Sequence, residues 1–362
     1  MASPDSNKKS QITPGDRARL DALIRIRTAQ SADVSAEHWA ERIHHGERDA
    51  LSQAITLAES QKIEDLQFLD QVLLALREKF PKKESQRIGI TGVPGVGKST
   101  FIEQLGNAII HENHRLAVLA IDPSSGRSGG SILGDKTRME TLSRAPNAFV
   151  RPSPTADTLG GVTRGTFEAI ELCEAAGFDR IIVETVGVGQ SETAVRDLTD
   201  VFILLMLPGG GDELQGIKRG IMEMADLLLV NKCDSGREPL AQETAMQYRK
   251  ALHLFPPNMG GHDVHVQTVS ALNNDGINSV MNHIQELVEM WQANGWLNRQ
   301  RSEQRMRQFE NQIRRLSLLK DRSSAQATET WNALVNQVTE GTLSPLNAAH
   351  LWHARRQKNT GP

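Results

Sequence analysis

Cysteine is scarce in this chain of 362 residues, with Cys173 and Cys233 the only two. Two thiols so far apart in sequence make no zinc or disulfide framework, and they fit a reducing compartment. Aromatic residues are 4% of the chain, which argues against a surface that stacks nucleic-acid bases. Neither sign of charge dominates: 41 Lys and Arg stand against 44 Asp and Glu, a formal net charge of -3. That balance leaves no electrostatic footprint for nucleic acid or for an acidic membrane. Long apolar runs are missing as well. The longest, Val201 to Leu207, is too short to span a bilayer. The opening stretch MASPDSNKKSQ is polar, without the apolar segment of a secretory signal. The expectation is a soluble, cytoplasmic protein that engages neither nucleic acid nor membrane.

The pattern that is present divides the chain. Residues 1–12 read as a disordered tail and 13–82 as an N-terminal helical extension, with Leu20, Leu23 and Ile24, then Ile55 and Ala58, then Leu69, Val72, Leu73 and Leu76 at helical spacing. Pro81 and the charged run after it close this region. Residues 83–290 change character. RIGIT, LAVLAID, RIIVET, DVFILLML, LLLVNK and VHVQTVS read as buried strands between helical segments. Several are continuous apolar runs, as in a sheet covered on both faces. The expected fold is α/β, with a mostly parallel central sheet. From Ile277 the pattern is helical again, and 291–362 reads as a C-terminal helical region.

GVPGVGKST, at Gly92, Val93, Pro94, Gly95, Val96, Gly97, Lys98, Ser99 and Thr100, fits the phosphate-loop pattern G-x-x-x-x-G-K-[ST]. The strand RIGIT precedes it and a helical segment follows. Glycines let the backbone turn successive N–H groups toward phosphate oxygens, and the helix N-terminus adds partial positive charge. Lys98 can reach the β- and γ-phosphates, and the Ser99 hydroxyl can bind Mg²⁺. A plain Gly-rich turn would not need Lys-Ser-Thr at the helix start.

NKCD, at Asn231, Lys232, Cys233 and Asp234, follows the strand LLLV. An aspartate there can accept from the ring N–H and the exocyclic amine of guanine. Adenine would leave a buried carboxylate unpaired, which is what makes such discrimination strong. Ser270, Ala271 and Leu272 follow the next strand and match the segment that backs the guanine ring in GTPases. The expected substrate is GTP, with GDP as product.

Asp122 ends the second strand and opens a Gly- and Ser-rich stretch that suits a loop ordering around a γ-phosphate and its metal. Mg²⁺ takes hard oxygen donors, which makes Asp122 and Asp135 candidates. For Asp135 a turn-capping role stands level with the metal role. Glu184 ends RIIVE in an E-x-x-G where many GTPases have D-x-x-G, and it is a candidate for the metal shell. Val188 follows Gly187 where Ras-type GTPases place a water-orienting Gln, and Gln190 lies too far on to replace it. A further Gly-rich loop at 208–220 carries Gln215 and Lys218, and a solvated helix start is its bland reading.

On GVPGVGKST, IDPSS, GGSILGDKTRM, RPSPTADTLGGV, ETVGVGQSE and PGGGDELQGIKRGIMEMAD, the chain resembles the MeaB/ArgK family over nearly its whole length. These are GTPase chaperones of adenosylcobalamin-dependent acyl-CoA mutases. The resemblance implies a homodimer joined through C-terminal helices and Mg²⁺ ligands at Ser99, Asp122, Asp135 and Glu184. It also implies that the 208–220 loop is an added switch, with Lys218 and Gln215 supporting hydrolysis alongside Lys98 and Glu184. The chain departs from the family at Gly126, Arg127 and Ser128, a change that bears on switch dynamics or partner contacts. Two other readings compete: a metal-delivery GTPase for a nickel or cobalt enzyme, and a small-molecule kinase. The first is disfavoured by scattered histidines and isolated cysteines, the second by the guanine-reading tetrad.

Overall fold

The computed structural model describes residues 35–81, 84–122, 139–154, 165–185, 192–209, 219–255, 258, 260–321, 325–339, 343, 347–348 and 351–352. Three helices come first: α1 (Ala36–His44), α2 (Arg48–Glu59) and α3 (Ile63–Lys79). Then follow β1 (Gln86–Gly92), α4 (Lys98–His111), β2 (Leu116–Asp122), α5 (Glu140–Arg144), β3 (Ala148–Pro154) and α6 (Thr166–Ala175). The second half holds β4 (Arg180–Thr185), α7 (Glu192–Arg196), β5 (Val201–Met206), α8 (Arg219–Met224), β6 (Leu227–Val230), α9 (Glu238–Leu252) and β7 (His265–Thr268). Helices α10 (Ile277–Ala293), α11 (Trp296–Asp321) and α12 (Ala325–Thr339) complete it.

The seven strands form one sheet in the order β3-β2-β4-β1-β5-β6-β7, every pair parallel. β4, β5 and β6 are buried along nearly their whole length, which is why they read as unbroken apolar runs. The expected parallel α/β sheet is therefore present. It has one strand more than the sequence reading found, because β3 carries Pro152 and Pro154. β3 pairs on one side only, with β2, and an edge is where a strand tolerates prolines.

Side chains alternate between the two faces and build two apolar cores. On one face Ile88, Ile90, Val118 and Ile182 meet Phe101 and Ile102 of α4, Tyr248 of α9 and Trp291 of α10. On the other, Ala117, Leu119, Ile181, Val183 and Phe202 meet α6 and the apolar sides of α1 to α3. The N-terminal helices thus share a core with the sheet. Polar ties add to this: Arg48 donates to the carbonyls of Ala145, Pro146 and Ala148, and Arg151 of β3 pairs with Glu59 at 2.7 Å.

Helix α11 is attached differently. Its first turns cross the N-terminal ends of the strands on polar contacts. Gln300 and Gln304 are buried and donate to the carbonyl of Thr199, at 3.1 and 2.8 Å. Arg301 forks onto Asp200 at 2.8 and 2.6 Å and also donates to the carbonyl of Ser85. Asp200 in turn accepts from the backbone N–H of Arg87, so α11 is tied to the start of β1.

Candidate nucleotide site

Parallel strands bring their C-terminal ends to one edge, and four segments named by sequence meet there. The loop from Val93 to Gly97 runs from β1 into α4, and Lys98 is the first residue of that helix. Gly92 is needed for close approach: a Cβ there would come within 2.6 Å of the Leu205 carbonyl on β5. Gly97 caps α4 in the left-handed region at φ 94°, and a Cβ would meet the Asn231 amide at 2.9 Å. Pro94, Gly95 and Thr100 are exposed, Ser99 is half-buried, and Val93 and Val96 turn inward to the core.

Lys98 is buried, and its Nζ donates to the carbonyls of Gly92 at 2.9 Å and Val93 at 3.4 Å. Burial pushes its ammonium below the ordinary lysine value, and the charge of Glu184 opposes the shift. A cation curled onto loop carbonyls at a helix N-terminus, in a turn where Gly92 and Gly97 leave no room for a Cβ, is the chemistry that suits a polyphosphate. Glu184 is buried on β4, level with Ile90 of β1 and Ala120 of β2. One residue on, the hydroxyls of Thr185 and Thr91 bond at 2.7 Å and lock β4 to the strand leading into the loop. Asp122 ends β2 opposite Pro154, and its side chain lies outside the described residues. Asp135, Gln215 and Lys218 also lie outside them, as do Gly126, Arg127 and Ser128.

The segments expected to read the base join the expected phosphate loop through Asn231. Its Nδ2–H donates to the Val96 carbonyl at 2.8 Å, and its Oδ1 accepts from the Ala271 N–H at 3.1 Å. One amide therefore braces the phosphate loop against the Ser270–Leu272 segment. Lys232 sits at φ 63° between Asn231 and Cys233, whose N–H donates to the Val269 carbonyl. Asp234 is 3% exposed and accepts from the Ser270 hydroxyl at 2.7 Å and from Arg237 at 2.9 Å. The Ser270 bond, with Arg237 and Ser235, holds its carboxyl below the usual carboxylate range against the opposing pull of burial. Ala271 is buried, and Leu272 is 71% exposed.

Sequence reasoning missed Arg237 and the Thr91–Thr185 pair. The Ser-Gly step before Arg237 is a turn signal that would have drawn notice to it. No local signal marks the threonines, which meet only when β1 and β4 pair.

The chain matches the family described as methylmalonyl Co-A mutase-associated GTPase MeaB over residues 51–327. It is 46% identical over 358 residues to the mitochondrial methylmalonic aciduria type A homolog of Mus musculus, covering 95% of this chain and 86% of that protein. It is 45% identical over 263 residues to GTPase ArgK of Escherichia coli (strain K12), covering 73% of this chain and 79% of that protein. A solved structure described as a LAO/AO transport system kinase aligns at 33% identity with a TM-score of 0.66, covering 89% of this chain and 97% of that one. With a buried Lys98 and a braced Asn231–Asp234 segment on the same sheet edge, the chain belongs to the methylmalonyl-CoA mutase-associated GTPase family and is itself a GTPase.

Proposed function

We propose that this GTPase is a chaperone for cofactor loading, protection or reactivation of an adenosylcobalamin-dependent acyl-CoA mutase. The client is of the methylmalonyl-CoA mutase type or a relative such as a 2-hydroxyisobutyryl-CoA mutase. The observation that carries this reading is the family match over residues 51–327, which takes in both the phosphate loop and the base reader. The near full-length mouse relative, whose name ties it to methylmalonic aciduria, supports it. We place its work in the cytoplasm and its assembly as a homodimer.

In this reading, loop N–H groups and Lys98 hold the GTP phosphates while Asp234 selects the base. The Ser99 hydroxyl and the Glu184 carboxylate, joined by Asp122 and Asp135, are hard oxygen donors that fit Mg²⁺. The ion supplies neutralisation of charge on the phosphate oxygens. The protein's own part is positioning. Val188 follows Gly187, so no Ras-type Gln orients the water. Loss of such a stabiliser costs ~10³-fold or more in turnover. Hydrolysis is therefore slow in the isolated protein. A bound mutase accelerates it by favouring a state of the 208–220 loop that brings Lys218, supported by Gln215, to the phosphates.

The test is phosphate release with and without a B12-dependent mutase from the same cell, for wild type and Lys218→Ala. The mutase is expected to stimulate wild type, and the variant is expected to bind GTP nearly normally yet lose the stimulation. A variant stimulated as fully as wild type makes Lys218 an ordinary surface lysine. If no such mutase binds or changes the rate, the chaperone reading fails.

A further inference from the structure

Ser270 and Arg237 divide the Asp234 carboxylate between them. The Ser270 hydroxyl donates to Oδ2 at 2.7 Å and the Arg237 Nη2–H donates to Oδ1 at 2.9 Å. The turn between the two residues puts the arginine there. The Arg237 N–H donates to the Asp234 carbonyl at 3.1 Å, and Ser235 and Gly236 between them have φ of 55° and 82°. Two successive left-handed residues mark a type I′ turn, which reverses the chain tightly. The arginine side chain then folds back along the turn, with Nε donating to the Asp234 carbonyl at 3.3 Å.

An ionised carboxylate offers about four lone-pair sites, two on each oxygen. One clamp on each oxygen leaves one site on each oxygen for a ligand once the Ser235 hydroxyl, which also favours the charged carboxylate, turns away. Guanine presents two donors side by side, its ring N–H and its exocyclic amine, and needs one site from each oxygen at once. Hypoxanthine presents the ring N–H alone and needs one site only. A carboxylate held at Oδ2 alone can tilt to suit a single donor, whereas a two-donor edge needs the carboxylate plane fixed. Arg237 is 45% exposed against a 3% exposed Asp234, so the arginine end of the pair faces solvent while the carboxylate keeps the Ser270 bond when the arginine is removed.

We propose that Arg237 is a positioning residue for base recognition, clamping Oδ1 of Asp234 as Ser270 clamps Oδ2 and so sharpening the choice of guanine over hypoxanthine nucleotides. This rests on Asp234 as the guanine reader. The experiment is calorimetric binding of GDP and IDP to the full-length protein as wild type, Arg237→Ala, Arg237→Lys and Asp234→Ala, with thermal unfolding of each. Arg237→Ala is expected to weaken GDP about tenfold, the scale of one lost orienting hydrogen bond. IDP weakens less, so the preference for GDP over IDP shrinks. Arg237→Lys regains part of the loss, being a point charge without the planar fork. Binding of every variant is measured well below its unfolding midpoint, so a lost preference for GDP over IDP is not a loss of fold.

Unchanged GDP and IDP affinities in Arg237→Ala overturn the proposal. Tighter GDP binding also overturns it, making Arg237 a competitor of guanine. Equal losses for GDP and IDP do so as well, reducing Arg237 to general attraction for the diphosphate. If Asp234→Ala binds GDP like wild type, the reading of Asp234 itself fails. If Asp234→Ala loses GDP while Arg237→Ala matches wild type, only the clamp fails.

Discussion

Burial pushes the Lys98 ammonium below its ordinary value, with Glu184 opposing, so the folded protein holds this proton less tightly than the unfolded chain does. The sign follows by linkage. Between the folded and unfolded values the unfolded chain binds more protons, so stability rises with pH through that window. Below the folded value the full cost of a buried cation is present. In the proposed role, Lys98 serves the polyphosphate at the expense of the fold. Lys98→Met keeps the apolar stem and removes the charge. It is expected to lose GTP affinity by roughly 100-fold, the scale of two charge-assisted contacts. Its thermal midpoint should equal or exceed that of wild type, measured by fluorescence-monitored melting with calorimetry for binding. A clearly lower midpoint would mean that the bonds to the Gly92 and Val93 carbonyls outweigh the cost of burial. The placement of both the lysine and Asp234 beyond the ends of buried strands was legible in sequence because fixed spacing follows an apolar run in each case. The brace at Asn231 was not, since Val96 and Ala271 reach it from distant parts of the chain.

At the scale of elements, helix α11 shows where polarity hides a docking face. Hydrophobic periodicity finds helices that bury apolar stripes, and it found the strands and α10 in this way. Past Leu297, which is buried in the core, the inner face of α11 is Gln300, Arg301 and Gln304, bonded to the carbonyls and carboxylate of Thr199 and Asp200, and no periodic apolar signal announces that stretch. β3 escaped for a related reason, its prolines reading as loop until an edge position accommodates them. The Arg301–Asp200 pair is nearly dry, with side-chain exposures of 13% and 1%. Asp200 keeps the Arg301 guanidinium above its usual value, although burial pulls the other way. Removing one partner leaves a buried charge uncompensated, which costs about 3 kcal/mol or more. Arg301→Ala is therefore expected to lower unfolding free energy by about 3 kcal/mol in a urea titration. Arg301→Ala together with Asp200→Asn should lose less than the sum of the two single changes. Additive losses would show that the two side chains do not act as a pair.

Across the whole molecule, the face of α11 opposite its anchors is the surface to consider. Met306, Phe309, Ile313 and Leu316 are 60%, 61%, 49% and 47% exposed. Their steps of three, four and three residues place them in one stripe, the spacing by which helices pack against helices. A polar helix does not carry four large apolar side chains in a line outward without a cost in water, and a second copy of the same helix offers the same stripe. The homodimer proposed above is expected to form through α11. Ending the chain near Trp296 is a poor test, because it also removes Gln300, Arg301 and Gln304 from the base of the sheet. Phe309→Glu with Ile313→Glu alters the outer stripe and leaves the anchors intact. Light scattering across micromolar concentrations should find wild type at twice the monomer mass and the double variant at the monomer mass. Thermal midpoint at fixed protein concentration should fall in the variant, since association stabilises by mass action. GDP affinity should hold, because the hydrogen bonds of Lys98, Asn231 and Asp234 do not involve α11. A wild type that stays monomeric removes the dimer. A double variant that remains dimeric moves the interface off α11 and leaves the stripe to another partner.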